Sequence, residues 1–557
     1  MAGRRRPTAA PLRALALVVA LTAATLAGCV PADQNGATVS APAVVPAPTA
    51  LSAVDGPPFR LTDEVIVSGE ADAVAALQQL VTTRTGAELR RFGGESGSAP
   101  GRRSDREAAA PSIRLTLTAG GPAESYRLTV TEDVVAINGA DAAGLFYGVQ
   151  TLGQLIARDG ERWVVPVTEI DDVPRFAYRG VMLDVARHFH GVDTVKAYID
   201  RAASLKFNHL HLHLTDDQGW RLEIASRRLL TELSSDSAVG GDPGGFFTQA
   251  DYRDIVAYAA SRHMTVVPEI DMPGHTHAVS LAYPELSEEP VISEHIREIA
   301  RDYGGELPVN GVDYDGMAVG FSSLKINDEA TYEFLADVLG EVAALNPGPY
   351  LHVGGDEALG TAPEDFAVFM ARATEIVAGL GKTPITWHEA GAATGLAPTT
   401  VGQYWGFVTP TDGMDEKTRT FVRNGARVIM SPADAIYLDM KFDADSSLGL
   451  TWARGVTSAQ RAYEWDPAEV IDGVGEADIL GVEAPLWTET VRTLDDIDAL
   501  AFPRIAAAAE AAWSPALGST EQRSWESFRH RVGALGPLWS SMGIGYTPLA
   551  GIEWSTG

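Results

Sequence analysis

Hydrophobic and polar positions repeat with two different periods along this chain, and the changes of period mark its organisation. Strand-like alternation runs through residues 65–67, 113–117 and 126–130. Helical patterns over 71–84 and 142–156 bracket those strands. Residues 58–174 are therefore expected to form a small α+β domain, with the Gly-, Ser-, Arg- and Ala-rich stretch 94–110 as a mobile loop within it. Beyond residue 174 the register becomes strand then helix, repeated. Strand segments fall at 180–185, 207–214, 264–270, 350–355, 383–388, 400–405, 427–430 and 479–485. Helical patterns at 192–205, 251–261, 329–345 and 363–380 lie between them. This α/β pattern predicts a (β/α)8 barrel over residues 175–557, with long loops after its strands. A doubly wound open sheet is the competitor. It would want a Gly-rich phosphate turn after the first strand, and Asp184-Val185-Ala186-Arg187 is not one.

Composition narrows the function classes. Of 557 residues, 45% are hydrophobic and 21% charged, as in soluble globular proteins, and no apolar run after the N-terminus is long enough to span a bilayer. A net charge of −31 argues against nucleic acid and disfavours polyanionic substrates. The N-terminus reads as a targeting segment: Arg4, Arg5, Arg6 and Arg13 precede an apolar run that ends in Leu26-Ala27-Gly28-Cys29. That ending resembles a bacterial lipobox. Residues 1–28 are expected to be removed and Cys29 to be acylated, leaving the protein extracellular and touching the membrane only through its lipid. Cys29 is the sole cysteine, so no intramolecular disulfide is possible. Residues 29–57, rich in Pro, Ala, Val and Thr, are expected to be a tether.

Barrel chemistry sits at the carboxyl ends of the strands. Read in order, those ends carry Asp184, Arg187 and His188; His213, Asp216, Asp217 and Trp220; Glu269, Asp271, His275 and His277; Asp356 and Glu357. The later strands lead to Trp387, His388 and Glu389; Tyr404 and Trp405; Asp434, Tyr437 and Asp439; and Glu483, Trp487 and Glu489. Any single tryptophan is more often core than sugar platform. Trp387, Trp405, Trp452 and Trp487 together, interleaved with carboxylates, point to a sugar, because aromatic faces stack on pyranose C–H faces and carboxylates accept hydroxyl hydrogen bonds.

The adjacent Asp356 and Glu357 decide the chemistry. Conventional glycosidases flank the scissile bond with two carboxylates, and neighbours after one strand approach from one wall. A general acid is visible but an enzymic nucleophile is not. A 2-acetamido group on the substrate can supply the nucleophile through its carbonyl oxygen. Glu357 would then protonate the leaving oxygen, while Asp356 orients the amide and stabilises the developing positive charge.

At these residues the chain resembles glycoside hydrolase family 20, the β-N-acetylhexosaminidases. The resemblance rests on RGVMLDVARHF (179–189), HLHLTDDQGWR (211–221), PEIDMPGH (268–275), HVGGDE (352–357) and EAPLWTE (483–489), in the family's order. It covers about residues 58–545, and implies an exo-acting, retaining, substrate-assisted hydrolase of terminal N-acetylhexosamine. It implies Glu357 as acid/base, Asp356 as the acetamido-polarising group, and Asp216 and His275 as a relay to Glu357. It further implies Tyr437 on the acetamido carbonyl and Trp387, Trp405 and Trp487 as pocket walls. Arg187 and Glu489 would hold the O3 and O4 hydroxyls and Asp439 the O6 side, with Trp452 also binding sugar. No cofactor and no metal is implied. The partner would be a glycan ending in N-acetylglucosamine or N-acetylgalactosamine, or a chitooligosaccharide. In the loops around 234–247 and 286–320 the resemblance gives no residue-by-residue correspondence, and they are expected to shape outer subsites.

Two other readings compete with this one. His209, His211 and His213 alternate on one strand, a pattern used by metal-dependent amidohydrolases, but no Lys or His series follows on later strands. Packing explains His209 and His211 more simply. A glycan-binding lipoprotein would keep the tryptophans and have no need of Asp356 beside Glu357. The sequence leaves open the natural glycan and the gluco or galacto preference.

Overall fold

The computed structural model describes residues 42–92 and 110–555. The leader, Cys29 and nearly all of the loop expected at 94–110 lie outside that range. The strand-like segments of the N-terminal part join a seven-stranded mixed sheet. Its order is Ala50–Ala53, Thr168–Asp172, Tyr126–Val130, Val134–Gly139, Ser112–Leu117, Ile66–Gly69 and Arg90–Arg91. Helices Ala71–Thr85 and Ala142–Leu155 pack on each other and on this sheet. They bury Val74, Leu77 and Val81 on the first and Leu145, Val149 and Leu152 on the second. Asp141 caps the second helix by accepting from the Gly144 N–H.

The expected tether over 29–57 is corrected within the described residues. Val44, Val45 and Ala47 are fully buried, and Ala50–Ala53 pairs antiparallel with residues 168–171. The Val45 N–H donates to Gln154 (2.8 Å), the Ala47 N–H to Glu510 (3.0 Å), and Arg531 donates to the Val44 carbonyl (2.7 Å). Pro, Ala and Val suit an extended linker, but the same extended backbone can satisfy its polar groups against a sheet edge and buried side chains. Here it does so.

The sheet and the barrel share one apolar core, stitched by buried charge. Asp172 accepts from Lys206 Nζ (2.9 Å), the Tyr126 hydroxyl (2.7 Å) and Trp513 Nε1 (2.9 Å). Lys206 and Asp172 are both fully buried, so each is held by the other.

The eight strand segments of the second part close into an all-parallel barrel. In chain order they are Tyr178–Asp184, His209–His213, Thr265–Glu269, Tyr350–His352, Thr383–Trp387, Val401–Tyr404, Val428–Met430 and Ile479–Ala484. The first pairs with the eighth, Tyr178 opposite Gly481. Helices Val192–Ser204, Gln249–Ser261, Glu329–Leu345 and Pro363–Gly379 follow the first four strands. Three of the four starts are written locally: Thr248 and Asp251 form a reciprocal cap, Asp328 accepts from the Ala330 N–H, and Pro363 opens the fourth, whereas Val192–Ser204 follows Gly191 with no side-chain cap. The fifth strand has no α-helix after it. Gly391, Gly395 and Pro398 leave only the short turn His388–Ala392 before the sixth strand. No helix among the described residues is long and apolar enough to cross a membrane.

Candidate active site

The fourth strand stops after His352 because Gly354 and Gly355 take φ of 65° and 101°. At Gly354 a side chain is sterically impossible, since a Cβ would stand 1.6 Å from Asp271 Oδ1. Glu357, two residues on, has φ of 41°, a region costly for a non-glycine residue. This turn delivers the two neighbouring carboxyls to different depths. Asp356 is buried, while the Glu357 side chain keeps 39% of its surface open, enough to meet a leaving group.

Behind the pair stands His275, also left-handed at φ of 56°. Its Nδ1 lies 3.2 Å from Asp216 Oδ1, and its Nε2 is 3.7 Å from Asp356 Oδ2 and 3.8 Å from Glu357 Oε2. The last two distances are beyond hydrogen bonding, so His275 acts on both carboxyls as a nearby charge. Burial alone would raise Asp216, but Arg187 and His275 hold it below the ordinary carboxylate range. Arg187 Nη2 and His213 Nε2 both reach Asp216 Oδ2 at 2.8 Å. Burial works against the His275 imidazolium, yet Asp216 and then Asp356 raise it well above the histidine range. Desolvation in the cavity, opposed by His275 and reinforced by Asp356, pushes Glu357 up to about 7. A carboxyl at that level can hold and release a proton near neutrality.

The carboxyls open into a cavity of about 350 Å³ walled by Trp405, Tyr437, Trp452 and Trp487. Trp452 meets Tyr437 edge-on at 5.7 Å and Trp405 edge-on at 6.0 Å. The Arg187 guanidinium lies 4.8 Å above the Trp487 ring. Three polar atoms on the wall are buried without a partner: Arg187 Nε, Asp356 Oδ1 and Glu489 Oε2. Both carboxyl oxygens of Asp439 are likewise unpartnered. Burial raises Asp439 well above the carboxylate range, with Glu489 adding to it, and burial also raises Glu489.

Most residues singled out in the sequence thus meet here, but not all in the expected place. Arg187, Asp356, Glu357, Trp405, Tyr437, Trp452, Trp487 and Glu489 line the cavity, with His275 and Asp216 behind the acidic pair. Trp387 does not line it. It is fully buried, 6.1 Å behind Trp487 and 4.8 Å from His352, so it supports the wall. Trp452 stands at the rim, 47% exposed. Asp434 is tied to Arg461 (2.5 Å) and to the Val408 N–H (2.8 Å). Of the alternating histidines, His209 stacks on Tyr178 at 4.0 Å, and His211 lies between Glu483 (2.8 Å) and Glu269 (3.1 Å) in the barrel interior.

The whole sequence matches known families along most of its length. Residues 41–173 match glycosyl hydrolase family 20, domain 2, and residues 176–365 and 358–516 match glycosyl hydrolase family 20, catalytic domain. The chain belongs to glycosyl hydrolase family 20. It is 40% identical to a β-N-acetylhexosaminidase of Cellulomonas fimi over 520 residues, covering 92% of this chain and 97% of that one. A solved structure described as a glycoside hydrolase family 20 β-N-acetylglucosaminidase superposes with a TM-score of 0.85 at 62% identity, covering 92% of this chain and 100% of that one. The Streptomyces plicatus N-acetyl-β-hexosaminidase bound to thio-NAglucal superposes with a TM-score of 0.80 at 42% identity, over 92% and 97% of the two chains.

Within this family 20 site, three features carry more than the sequence reading gave them: Glu389 and Asp271 were placed at strand ends without a role, and a helix on the cavity wall went unread. Glu389 accepts from Trp405 Nε1 (3.0 Å), and desolvation, with Asp356, pushes it up to about 8. Helix Glu294–Tyr303 supplies His295, Ile299 and Tyr303 to the cavity wall. Their four-residue spacing was a readable helical signal inside the segment 286–320. The third is Asp271, at the end of the third strand.

Proposed function

We propose that Glu357 is the general acid/base and Asp356 the acetamido-orienting group of an exo-acting β-N-acetylhexosaminidase that works by substrate-assisted retention. The observation carrying this reading is the depth difference within one turn, with Glu357 open and poised near 7 beside a buried Asp356. Two carboxyls from one turn cannot flank an anomeric carbon as an acid and an opposed nucleophile. The other carboxyls nearby are poor nucleophiles: Glu489 on the cavity wall, and Asp439 and Glu389, which do not line it, are all shifted toward the neutral acid.

Glu357 gives its proton to the glycosidic oxygen as the acetamido carbonyl oxygen attacks the anomeric carbon. Asp356 accepts the amide N–H and stabilises the oxazolinium, with the Tyr437 hydroxyl donating to the carbonyl oxygen. Glu357 then takes a proton from water, which opens the ring with overall retention. Glu489 and Arg187 have unpartnered atoms suited to sugar hydroxyls, and Asp439 has unpartnered oxygens for the O6 side. A cavity of about 350 Å³ fits one terminal sugar with its acetamido arm. Terminal N-acetylglucosamine is the supported substrate class; N-acetylgalactosamine is proposed as a second.

The test is the substrate's 2-substituent. Paired 2-acetamido and 2-hydroxy chromogenic glycosides should differ almost completely in turnover, and an activated 2-fluoro sugar should label no carboxylate. A stable adduct on any enzymic carboxylate would overturn the mechanism. Cys29 is proposed as the acylation site, supported by the Leu26-Ala27-Gly28-Cys29 sequence. Cys29→Ser should move the protein from the membrane to the soluble fraction, and unchanged fractionation would refute it.

A further inference from the structure

Asp271 is one of the most enclosed carboxyls in the barrel mouth, and the mechanism above does not use it. It is 1% exposed, and its backbone N–H donates to Thr215 Oγ1 (3.2 Å). Its Oδ1 accepts the Gly355 N–H at 3.1 Å and presses on Gly354, so the carboxyl lies directly against the turn that carries Asp356. Its other oxygen, Oδ2, is buried with no donor. The buried oxygen of Asp356, Oδ1, also has no donor, and the two carboxyls are within hydrogen-bonding reach of each other. Two ionised carboxylates in that contact would repel at close range with neither solvated. One proton between them removes the conflict.

We propose that Asp271 is a neutral carboxylic acid whose Oδ2–H donates to Asp356 Oδ1, making it a positioning residue for the acetamido-orienting carboxylate. The proton stays on Asp271 because that side chain is sealed from the cavity, while Asp356 lines it. The groups packed around Asp271 favour this on balance. Asp356 from the fourth strand and Glu269 from the third disfavour another anion; the His275 cation opposes them but pairs with Asp216, and His213 pairs with Glu269 and Asp216. Burial and then Asp356 raise Asp271 well above the carboxylate range. Fixed by this donor, Asp356 turns Oδ2 toward His275 and keeps one rotamer, ready for the acetamide before substrate arrives. A neutral carboxylic acid used as a buried donor is a known device in enzyme sites.

The inference rests on the role given to Asp356 above, and its test separates the two. Asp271→Asn retains the shape, accepts the Gly355 N–H through its oxygen and donates to Asp356 through its amide. It should keep kcat within about tenfold of wild type, whereas Asp271→Leu, lacking the donor, should lose about 10²-fold in kcat with little change in KM. Thiazoline affinity should fall with Asp271→Leu and hold with Asp271→Asn. If Asp271→Asn is as inactive as Asp356→Asn while remaining folded, Asp271 acts as an anion and the proposal is wrong. Should the Leu variant fail to fold, infrared spectroscopy decides: wild type at neutral pH must show a protonated carboxylic acid band that Asp271→Asn removes, and its absence overturns the proposal. Full activity in Asp356→Asn would instead sink the functional reading and leave the infrared result standing.

Discussion

Two cavities among the described residues contrast, and the larger is not the one with the chemistry. A cavity of about 660 Å³ lies where helices Ala71–Thr85, Ala142–Leu155, Val192–Ser204 and Gly536–Ser541 meet. Its arginines are spent on the fold. Arg84 donates to the Gly153 and Ile156 carbonyls, Arg201 pairs with Asp498, and Arg262 with Asp200. None of its described lining residues carries a buried, unpartnered side-chain polar atom. The smaller cavity at the barrel mouth holds Arg187 and Glu489 with atoms left unsatisfied. Buried polar groups without partners are costly, so a fold retains them where a ligand completes them. Volume alone would have selected the wrong place.

Substitutions on the two sides should separate stability from catalysis. The largest effect is expected at the junction: Arg201→Met strands the buried Asp498 carboxylate and should cost about 3–5 kcal/mol, read by denaturant titration, with kcat/KM of the folded fraction unchanged. At the barrel mouth, Glu357→Gln should lower kcat by about 10²-fold or more with stability preserved, and most for poor leaving groups. Equal losses for good and poor leaving groups would remove Glu357 from the acid role. A smaller effect concerns pH. Glu357 must carry its proton to act as an acid, so kcat/KM should be full below about 7 and decline as pH rises through it. His275→Ala removes the cation that lowers Glu357, so the basic limb should move to higher pH; an unmoved limb would make His275 structural. The smallest effect is expected from Gln79→Leu in the large cavity, within about twofold of wild type in kcat/KM. A large loss there would mean that cavity takes part after all.

The barrel was legible because its signals are local. Most strands are short, largely apolar runs stopped by turn residues, and three of the four early helices begin with a cap or a proline. The missing helix after the fifth strand is also local, written in Gly391, Gly395 and Pro398, though the overall repeat masked it. Residues 42–57 misled because Pro, Ala and Val fit both a linker and an edge strand, and only the partners Glu510, Arg531 and Gln154 distinguish them.

For the site, the sequence by itself determined which chemistry is possible. Asp356 beside Glu357 after a glycine turn, with aromatics and carboxylates at the other strand ends, is a property of residue types and spacing. Only the tertiary structure decided what each group does in its surroundings. Closure of the barrel sets Asp271 from the third strand against Asp356 from the fourth, and His275 between Asp216 and the acidic pair. It also withdraws Trp387 into the wall and brings Tyr303 to the rim. Proton affinity depends on burial and on charges a few ångströms away in space, and those distances are set by strands far apart in the chain.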